Sequence, residues 1–125
     1  MAQLPPTVKK GSKGEAVKGL QNALKIRSPQ YIGAIDGDFG PATESAVKQF
    51  QRDSGLAEDG IAGQRTWEAL YVYLVQREDT LSEIAEQQLG DANRWPDIHE
   101  LNGALISDPD RISPGQVLTL PIYAD

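Results

Sequence analysis

Over the first seventy positions, apolar residues recur three times at helical spacing, and glycine or proline bounds each stretch. Val17, Leu20 and Leu24, flanked by Ala16 and Ala23, form one face of a first helix. Ser12-Lys13-Gly14-Glu15 ahead of it has the Ser-x-x-Glu form of a capping box, and Pro29 predicts its end. Pro41 suits the first turn of a second helix, where a missing N–H has no intrahelical partner to lose. Val47 and Phe50 supply that helix's apolar stripe, and Gly55 is a left-handed stop. A third helix turns Trp67 and Leu70 inward. The pattern changes after Leu70. Tyr73, Val75 and Arg77 alternate with Leu74 and Gln76, a strand period of two. Thr80-Leu81-Ser82-Glu83 is a second capping box, opening a helix with Leu81, Ile84, Ala85 and Leu89 on one side and Gly90 at its end. Another helix begins near Trp95-Pro96, presents Trp95, Ile98 and Leu101, and stops at Gly103. A loop rich in Pro, Asp and Ser runs from Ala104 to Gln116. Val117-Leu118-Thr119-Leu120 forms a closing strand, free to pair antiparallel with the first and ended by Pro121.

The expected fold class is therefore mainly α plus a small α+β unit: an N-terminal three-helix bundle followed by a βααβ unit. Residues 1–7 form an N-terminal arm, 8–70 the bundle and 73–122 the second domain. No Gly, Ser or Pro separates Leu70 from Tyr73, so the two are expected to abut directly.

Two segments of the bundle are near-copies, 23 residues apart. Asp36-Gly37-Asp38-Phe39-Gly40-Pro41-Ala42-Thr43 is answered by Asp59-Gly60-Ile61-Ala62-Gly63-Gln64-Arg65-Thr66. Glycines three apart just before a helix describe a tight loop feeding a helix start. The first copy resembles a calcium loop only superficially. Its twelfth position is Val47, where a bidentate Glu is required, and the second copy has Ile61 in place of Asp38. The aspartates are read instead as turn formers bonding their own backbone.

Composition narrows the chemistry. The 125 residues contain no cysteine, which removes disulfides, thiol nucleophiles and thiolate metal sites. A net charge of −6 is unevenly placed, with +1 on residues 1–70 and −7 on 71–125. So acidic a half repels phosphate backbones, arguing against nucleic acid as a partner. No apolar run reaches membrane-spanning length, and the start Met1-Ala2-Gln3-Leu4-Pro5-Pro6 carries no visible secretion signal. The expectation is a cytoplasmic protein until assembled, or a particle component, with cell-wall association as the alternative. The one histidine, His99, has no second histidine at helical spacing, so a zinc-protease site is not formed. No catalytic residues, metal ligands or cofactor are expected, and the chain is read as non-enzymatic.

The first half resembles the peptidoglycan-binding domain family, a three-helix module. The matching residues are Gly11, Gly14, Val17, Leu20 and Gln21, then Ile35 through Thr43. Ala46, Val47, Phe50, Gln51, Gly55 and Leu56 continue it, and Asp59-Gly60-x-x-Gly63-x-x-Thr66-Trp67-x-x-Leu70 completes it. The second half resembles a LysM domain. Tyr73-x-Val75 with Asp79-Thr80-Leu81-Ser82-x-Ile84-Ala85 is that family's opening; Asn102, Ile112-x-Pro114-Gly115-Gln116-x-Leu118 and Leu120-Pro121 are its closing. The long stretches Gly90–Pro96 and Asp108–Asp110 look more like the LysM domains of intracellular, phage-tail and contractile-injection proteins.

Together the resemblances imply a non-catalytic protein that binds peptidoglycan or a chitin-like glycan, acting within a phage tail or contractile-injection baseplate. The alternative is a purely structural baseplate adaptor binding protein neighbours. An ion-sensing LysM protein is a third reading. The implied glycan contacts are Gly37, Asp38, Phe39, Gly40 and Thr43 in the first half. In the second they are Asp79, Thr80, Leu81, Ile106, Asp108 and Ile112, facing one another across a groove between the Glu78–Leu81 turn and the 106–114 loop. One departure stands out: LysM domains usually carry Gly before Asp-Thr-Leu, where this chain has Glu78, and a side chain with a negative charge there is expected to weaken glycan binding by the second half without changing its fold.

Overall fold

A computed structural model describes residues 4–28, 31 and 33–122. The chain forms α1 (Glu15–Arg27), α2 (Pro41–Asp53), α3 (Gln64–Leu70), β1 (Val72–Leu74), α4 (Leu81–Leu89), α5 (Trp95–Leu101) and β2 (Val117–Thr119), with a 3₁₀ turn at Ala92–Arg94. The architecture is mostly helical with one two-stranded sheet. β1 and β2 pair antiparallel, Tyr73 opposite Leu118.

Two hydrophobic clusters organise the chain. The first gathers Val17, Leu20, Leu24, Phe39, Val47, Phe50, Trp67 and Leu70 from the three N-terminal helices and their loops. The second gathers Tyr73, Val75, Leu81, Ile84, Ile98, Ile106, Leu118 and Leu120. Val117 belongs to the first cluster although it lies on β2, so the last strand serves both.

Several local expectations need correction. Ser12 does not cap α1: the cap is Gly14, at φ 117°, and the Ser12 hydroxyl accepts from Lys9 N–H at 3.0 Å. The reason is that residues 11–14 pair with the first repeat loop, Gly11 N–H donating to Phe39 C=O and Phe39 N–H to Ser12 C=O, both at 2.9 Å. The first strand ends at Leu74, leaving Arg77 exposed in the following turn. α5 runs to Leu101 with Asn102 as its cap, directly ahead of Gly103, and the Asn102 side-chain amide joins its own backbone N–H on the Ile98 carbonyl, at 2.7 Å. Pro29, the expected end of α1, lies outside the described residues; the helix runs to Arg27 with Ser28 as its cap. The second capping box does form. Thr80 Oγ1 accepts from Glu83 N–H at 3.2 Å and donates to Glu83 Oε1 at 2.9 Å. Gly90 closes α4 in the left-handed region at φ 80°.

The two halves meet through α1 and β2 without a spacer. Asn22 on α1 donates its amide to Leu101 C=O at 3.2 Å and to Asn102 Oδ1 at 3.0 Å. The Arg27 guanidinium bonds the carbonyls of Leu70 and Leu120, one from each half. Between these contacts Gly19 lets helix and strand touch: a Cβ there would lie 2.4 Å from Val117 Cβ and 2.6 Å from its carbonyl oxygen. Backbone cannot yield as a flexible side chain does. Gly19→Ala is therefore expected to lose about 1–3 kcal/mol in a urea melt, despite alanine's higher helix propensity. A stabilised variant would refute this close approach.

Candidate functional site

The repeated loops carry a more elaborate chemistry than their spacing implied. Gln21 projects from α1 into the first loop and is 1% exposed. Its Nε2 donates to Asp36 Oδ1 at 3.0 Å, Asp38 C=O at 3.0 Å and Thr43 Oγ1 at 3.1 Å. Its Oε1 accepts from the backbone N–H groups of Asp36 at 3.0 Å and Gly37 at 2.9 Å. Gln51 on α2 repeats this at the second loop. Its Nε2 donates to Asp59 Oδ1, Ile61 C=O and Thr66 Oγ1, each at 3.0 Å, and its Oε1 accepts from Gly60 N–H at 3.0 Å. Both aspartates close their own turns, Asp36 Oδ1 accepting from Asp38 N–H and Asp59 Oδ1 from Ile61 N–H at 2.9 Å. The Asp38 N–H, then the Gln21 amide, hold the Asp36 carboxyl below its ordinary value. Each repeat is thus a loop clamped by a buried glutamine from the preceding helix.

That clamp decides which first-half candidates reach the surface. Asp38 is exposed and Gly40 partly so, whereas Gly37 is buried. Phe39 is 3% exposed and packs in the first core, and Thr43, at 2%, is held by Gln21. The side chains of Phe39 and Thr43 therefore shape the loop from beneath. A separate cleft of about 250 Å³ lies nearby, lined by Tyr31, Gly33, Ala42, Ser45 and Gln49 among others. The repeat pattern gave no sign of it, since it lies on the outer face of α2.

In the second half, a groove of about 240 Å³ opens between the start of α4 and the 109–112 loop. Asp79, Thr80, Leu81 and Ile112 line it together, as do Ser82, Trp95, Pro109 and Asp110. Ile106 and Asp108 do not. Ile106 is 2% exposed in the second core, its carbonyl accepting from His99 Nε2 at 3.1 Å. Asp108 is exposed and paired with Arg111 at 3.5 Å. Trp95 is the side chain that sequence reasoning assigned wholly to a helix face. It is half-buried, with its ring centroid 6.5 Å from that of His99, and its remaining surface meets the groove. An aromatic residue beside proline at a helix start was the available signal.

Asp79 anchors the groove's turn. Its Oδ2 accepts from Tyr73 Oη and Gln76 N–H, both at 2.7 Å. Burial first, then the bond to Asp79, pushes the Tyr73 hydroxyl up to about 12, so it remains a donor throughout the physiological range. Glu78 occupies the glycine position and adopts the left-handed region glycine would favour, at φ 67°. The turn is preserved at a strain of about 1 kcal/mol. Glu78 is exposed and does not line the groove.

What the groove offers is a set of contacts for a polar ring with apolar faces. Leu81, Trp95, Pro109 and Ile112 supply apolar surface. Thr80 and Ser82 supply hydroxyls, and Asp79 and Asp110 acceptor oxygens. Among the described residues there is no cluster of three or more His, Cys, Asp or Glu able to hold a metal ion, and no helix is long and apolar enough to cross a membrane.

Comparison with known proteins follows this division. Residues 13–70 match the family model described as "Putative peptidoglycan binding domain", and residues 73–121 match the LysM domain. A zinc D-Ala-D-Ala carboxypeptidase of Streptomyces albus G is 51% identical over 70 residues, 52% of this chain and 26% of the relative. The potassium binding protein Kbp of Escherichia coli is 36% identical over 88 residues, 69% of this chain and 59% of the relative. The chain thus spans less than two thirds of the length of either. Among solved structures, the SleB N-terminal domain is similar, with a TM-score of 0.50 and 40% identity over 52% of this chain and 88% of that one. Both matched families are of the binding type. Residues 13–70 belong to the peptidoglycan-binding domain family and residues 73–121 to the LysM family.

Proposed function

We propose that the protein binds cell-wall glycan without catalysing its cleavage, and that the LysM groove is its principal contact. The observation that carries this reading is the groove itself. Trp95, Leu81 and Ile112 give an apolar bed, and the Thr80 and Ser82 hydroxyls with the carboxylates of Asp79 and, from the facing loop, Asp110 provide hydrogen-bonding groups beside it. Such shallow amphipathic grooves suit sugar rings, whose faces are apolar and whose edges are polar. Asp38 and Gly40 form a second, flatter contact in the first half, supported from below by Phe39 and Thr43. The division into an arm at 1–7 and domains at 8–70 and 73–122 belongs to the same proposal.

Purified sacculi should retain the protein on sedimentation, and Trp95→Ala is expected to weaken that retention about tenfold through loss of one aromatic contact. Retention no greater than that of an unrelated acidic protein would remove the reading.

The direct junction supports a second level of this proposal. A tether that merely delivers a neighbour to the wall works best on a flexible linker, whereas here Asn22, Arg27 and Gly19 lock the halves together. Such a rigid unit suits a component of a phage tail or contractile-injection baseplate, either meeting glycan on host encounter or serving as an adaptor between protein neighbours. Cosedimentation with assembled particles tests this placement; particles lacking the protein would exclude it. The similarity to a protein named for potassium binding supports an ion-binding reading, for which a melting-temperature rise in potassium but not sodium chloride is the check.

A further inference from the structure

The cleft on the outer face of α2 belongs to neither of the two proposed glycan contacts. Ala42, Ser45, Ala46 and Gln49 recur at three- and four-residue spacing and form one wall, and Ser28 and Tyr31, just past the end of α1, form the other. None of the described residues lining it is charged. Ser28 is 6% exposed. Its backbone N–H donates to Leu24 C=O at 2.7 Å and its carbonyl accepts from Tyr31 N–H at 2.9 Å, but its hydroxyl has no partner among the described residues. Thr119 Oγ1 is the fully enclosed side-chain atom left unpaired among them, so Ser28 Oγ keeps its access through the cleft it lines. Hydroxyls at such depth are normally paired, so an unpaired one opening on a cleft points to a bound group that completes it. Tyr31 offers no ring face. It is 8% exposed, a Cβ on Gly33 would lie 2.6 Å from its Cε1 and Oη, and its hydroxyl donates to Ala34 C=O at 3.0 Å. Gln49 is fixed by its neighbours, donating to Asp53 Oδ1 at 2.9 Å and accepting from Arg52 Nη1 at 3.2 Å, with one N–H and one lone pair still to give.

We infer that this cleft binds a neutral peptide segment with small side chains, such as the alanine-containing stretches of cell-wall peptides. The inference rests on the cell-wall reading and adds a peptide component to the glycan assigned to the LysM groove. A sugar ring lies best on an exposed aromatic or broad apolar face, which Trp95 gives the LysM groove and nothing gives this cleft. Its offer is two alanine methyls, two hydroxyls and a carboxamide. Those groups match secondary amides flanked by methyls: hydroxyls pair with N–H and C=O alike, and the alanines receive a small side chain. Ionised side chains and free termini are excluded, because the cleft would desolvate them without a partner.

Amide-shift NMR titration of the full chain tests this with N-acetyl-D-alanyl-D-alanine amide, a peptide uncharged at both ends. The amides of Ser28, Ala42, Ser45 and Gln49 are expected to shift together and saturate with a Kd of about 1–10 mM, as suits one small cleft. Low and high salt should give the same Kd, since no charge lines the cleft. Ser28→Ala is expected to weaken binding about fivefold through loss of one hydrogen bond. Its urea midpoint should stay level or rise, because the hydroxyl has no partner in the free protein to lose. Ser45→Tyr, at an exposed position, should fill the cleft and abolish the shifts. A peptide that moves only the LysM groove, or no resonance at all, while sacculi still retain the protein overturns the inference and leaves the wall reading standing. An N-acetylglucosamine tetramer that saturates the same amides at lower concentration than the peptide makes the cleft a sugar site and overturns it too. Undiminished binding in both Ser28→Ala and Ser45→Tyr places the peptide elsewhere, with the same consequence. A protein that sacculi do not retain but whose cleft still saturates with the peptide loses the wall reading and keeps the peptide site.

Discussion

Gln21→Ala is expected to lower the unfolding free energy by about 3–5 kcal/mol, read as a large fall in the urea midpoint. The wild-type amide satisfies two backbone N–H groups, a backbone carbonyl, the Asp36 carboxylate and the Thr43 hydroxyl, in a site almost closed to water. Truncation leaves the buried Gly37 N–H and Thr43 hydroxyl without this partner, whereas the exposed Asp36 carboxylate keeps its bond from Asp38 N–H. Buried donors and acceptors without partners cost more than the net value of the bonds they made. Asp36 then loses part of what holds its carboxyl below its ordinary value. By linkage, a depressed folded-state pKa stabilises the fold above the unfolded pKa and is lost as pH falls through the folded one, so the variant's stability should depend less on pH in the acid range. Gln51→Ala should follow the same course with one fewer backbone donor stranded. A loss below about 1 kcal/mol for Gln21→Ala would mean that water substitutes for the clamp.

The second large effect is expected at Asn102, which is fully buried. Its Nδ2 donates to Ile98 C=O at 2.7 Å and Thr119 C=O at 2.9 Å, and its Oδ1 accepts from Thr119 N–H at 2.8 Å and Asn22 Nδ2 at 3.0 Å. One side chain thus ends α5, ties it to β2 and receives the neighbouring half. Asn102→Ala should cost about 3–4 kcal/mol, and Asn22→Ala, which strands fewer groups, about 1–2 kcal/mol. The diagnostic is cooperativity. Thermal melts of the wild type should show one transition, and Asn102→Ala should show the second half melting ahead of the first. A single transition shifted as a whole would mean that apolar packing of Val117 in the first cluster couples the halves without the amides. A double-mutant cycle between Asn22 and Asn102 measures the bond that crosses the junction.

Much of the fold was legible in the chain. Helical spacing placed α1, α2, α4 and α5, Pro41 marked the start of α2, and the Thr80 box formed where the pattern put it. These are local signals, set by interactions within a few residues. The errors arose where distant groups competed for the same atoms. Ser12 has cap chemistry, yet the first repeat loop claims its backbone and Lys9 its hydroxyl. The candidate groove was legible in part. Asp79, Thr80, Leu81 and Ile112 converge on it, whereas Ile106 fills the core and Asp108 turns to Arg111. Asp110 lies in the loop expected to face Asp79, whereas Trp95 enters from the start of α5, which only chain folding brings to the groove.

The sequence by itself determined that two loop–helix units repeat, that a small strand–helix–helix–strand unit follows, and that no spacer divides them. These properties rest on backbone dihedral preferences and apolar periodicity, which act over short stretches of chain. Only the tertiary structure decided what the repeat is for: Gln21 and Gln51 lie 15 and 8 residues before the aspartates they clamp, so the bond is invisible in any fixed spacing. It also decided that Phe39 and Thr43 face inward, that Gly19 must be bare for α1 to meet β2, and that the acidic second half gathers two of its carboxylates around one groove. The physical reason is the same in each case. A buried polar group or a close backbone approach takes its meaning from the atom across the gap, and that atom is supplied by a remote part of the chain.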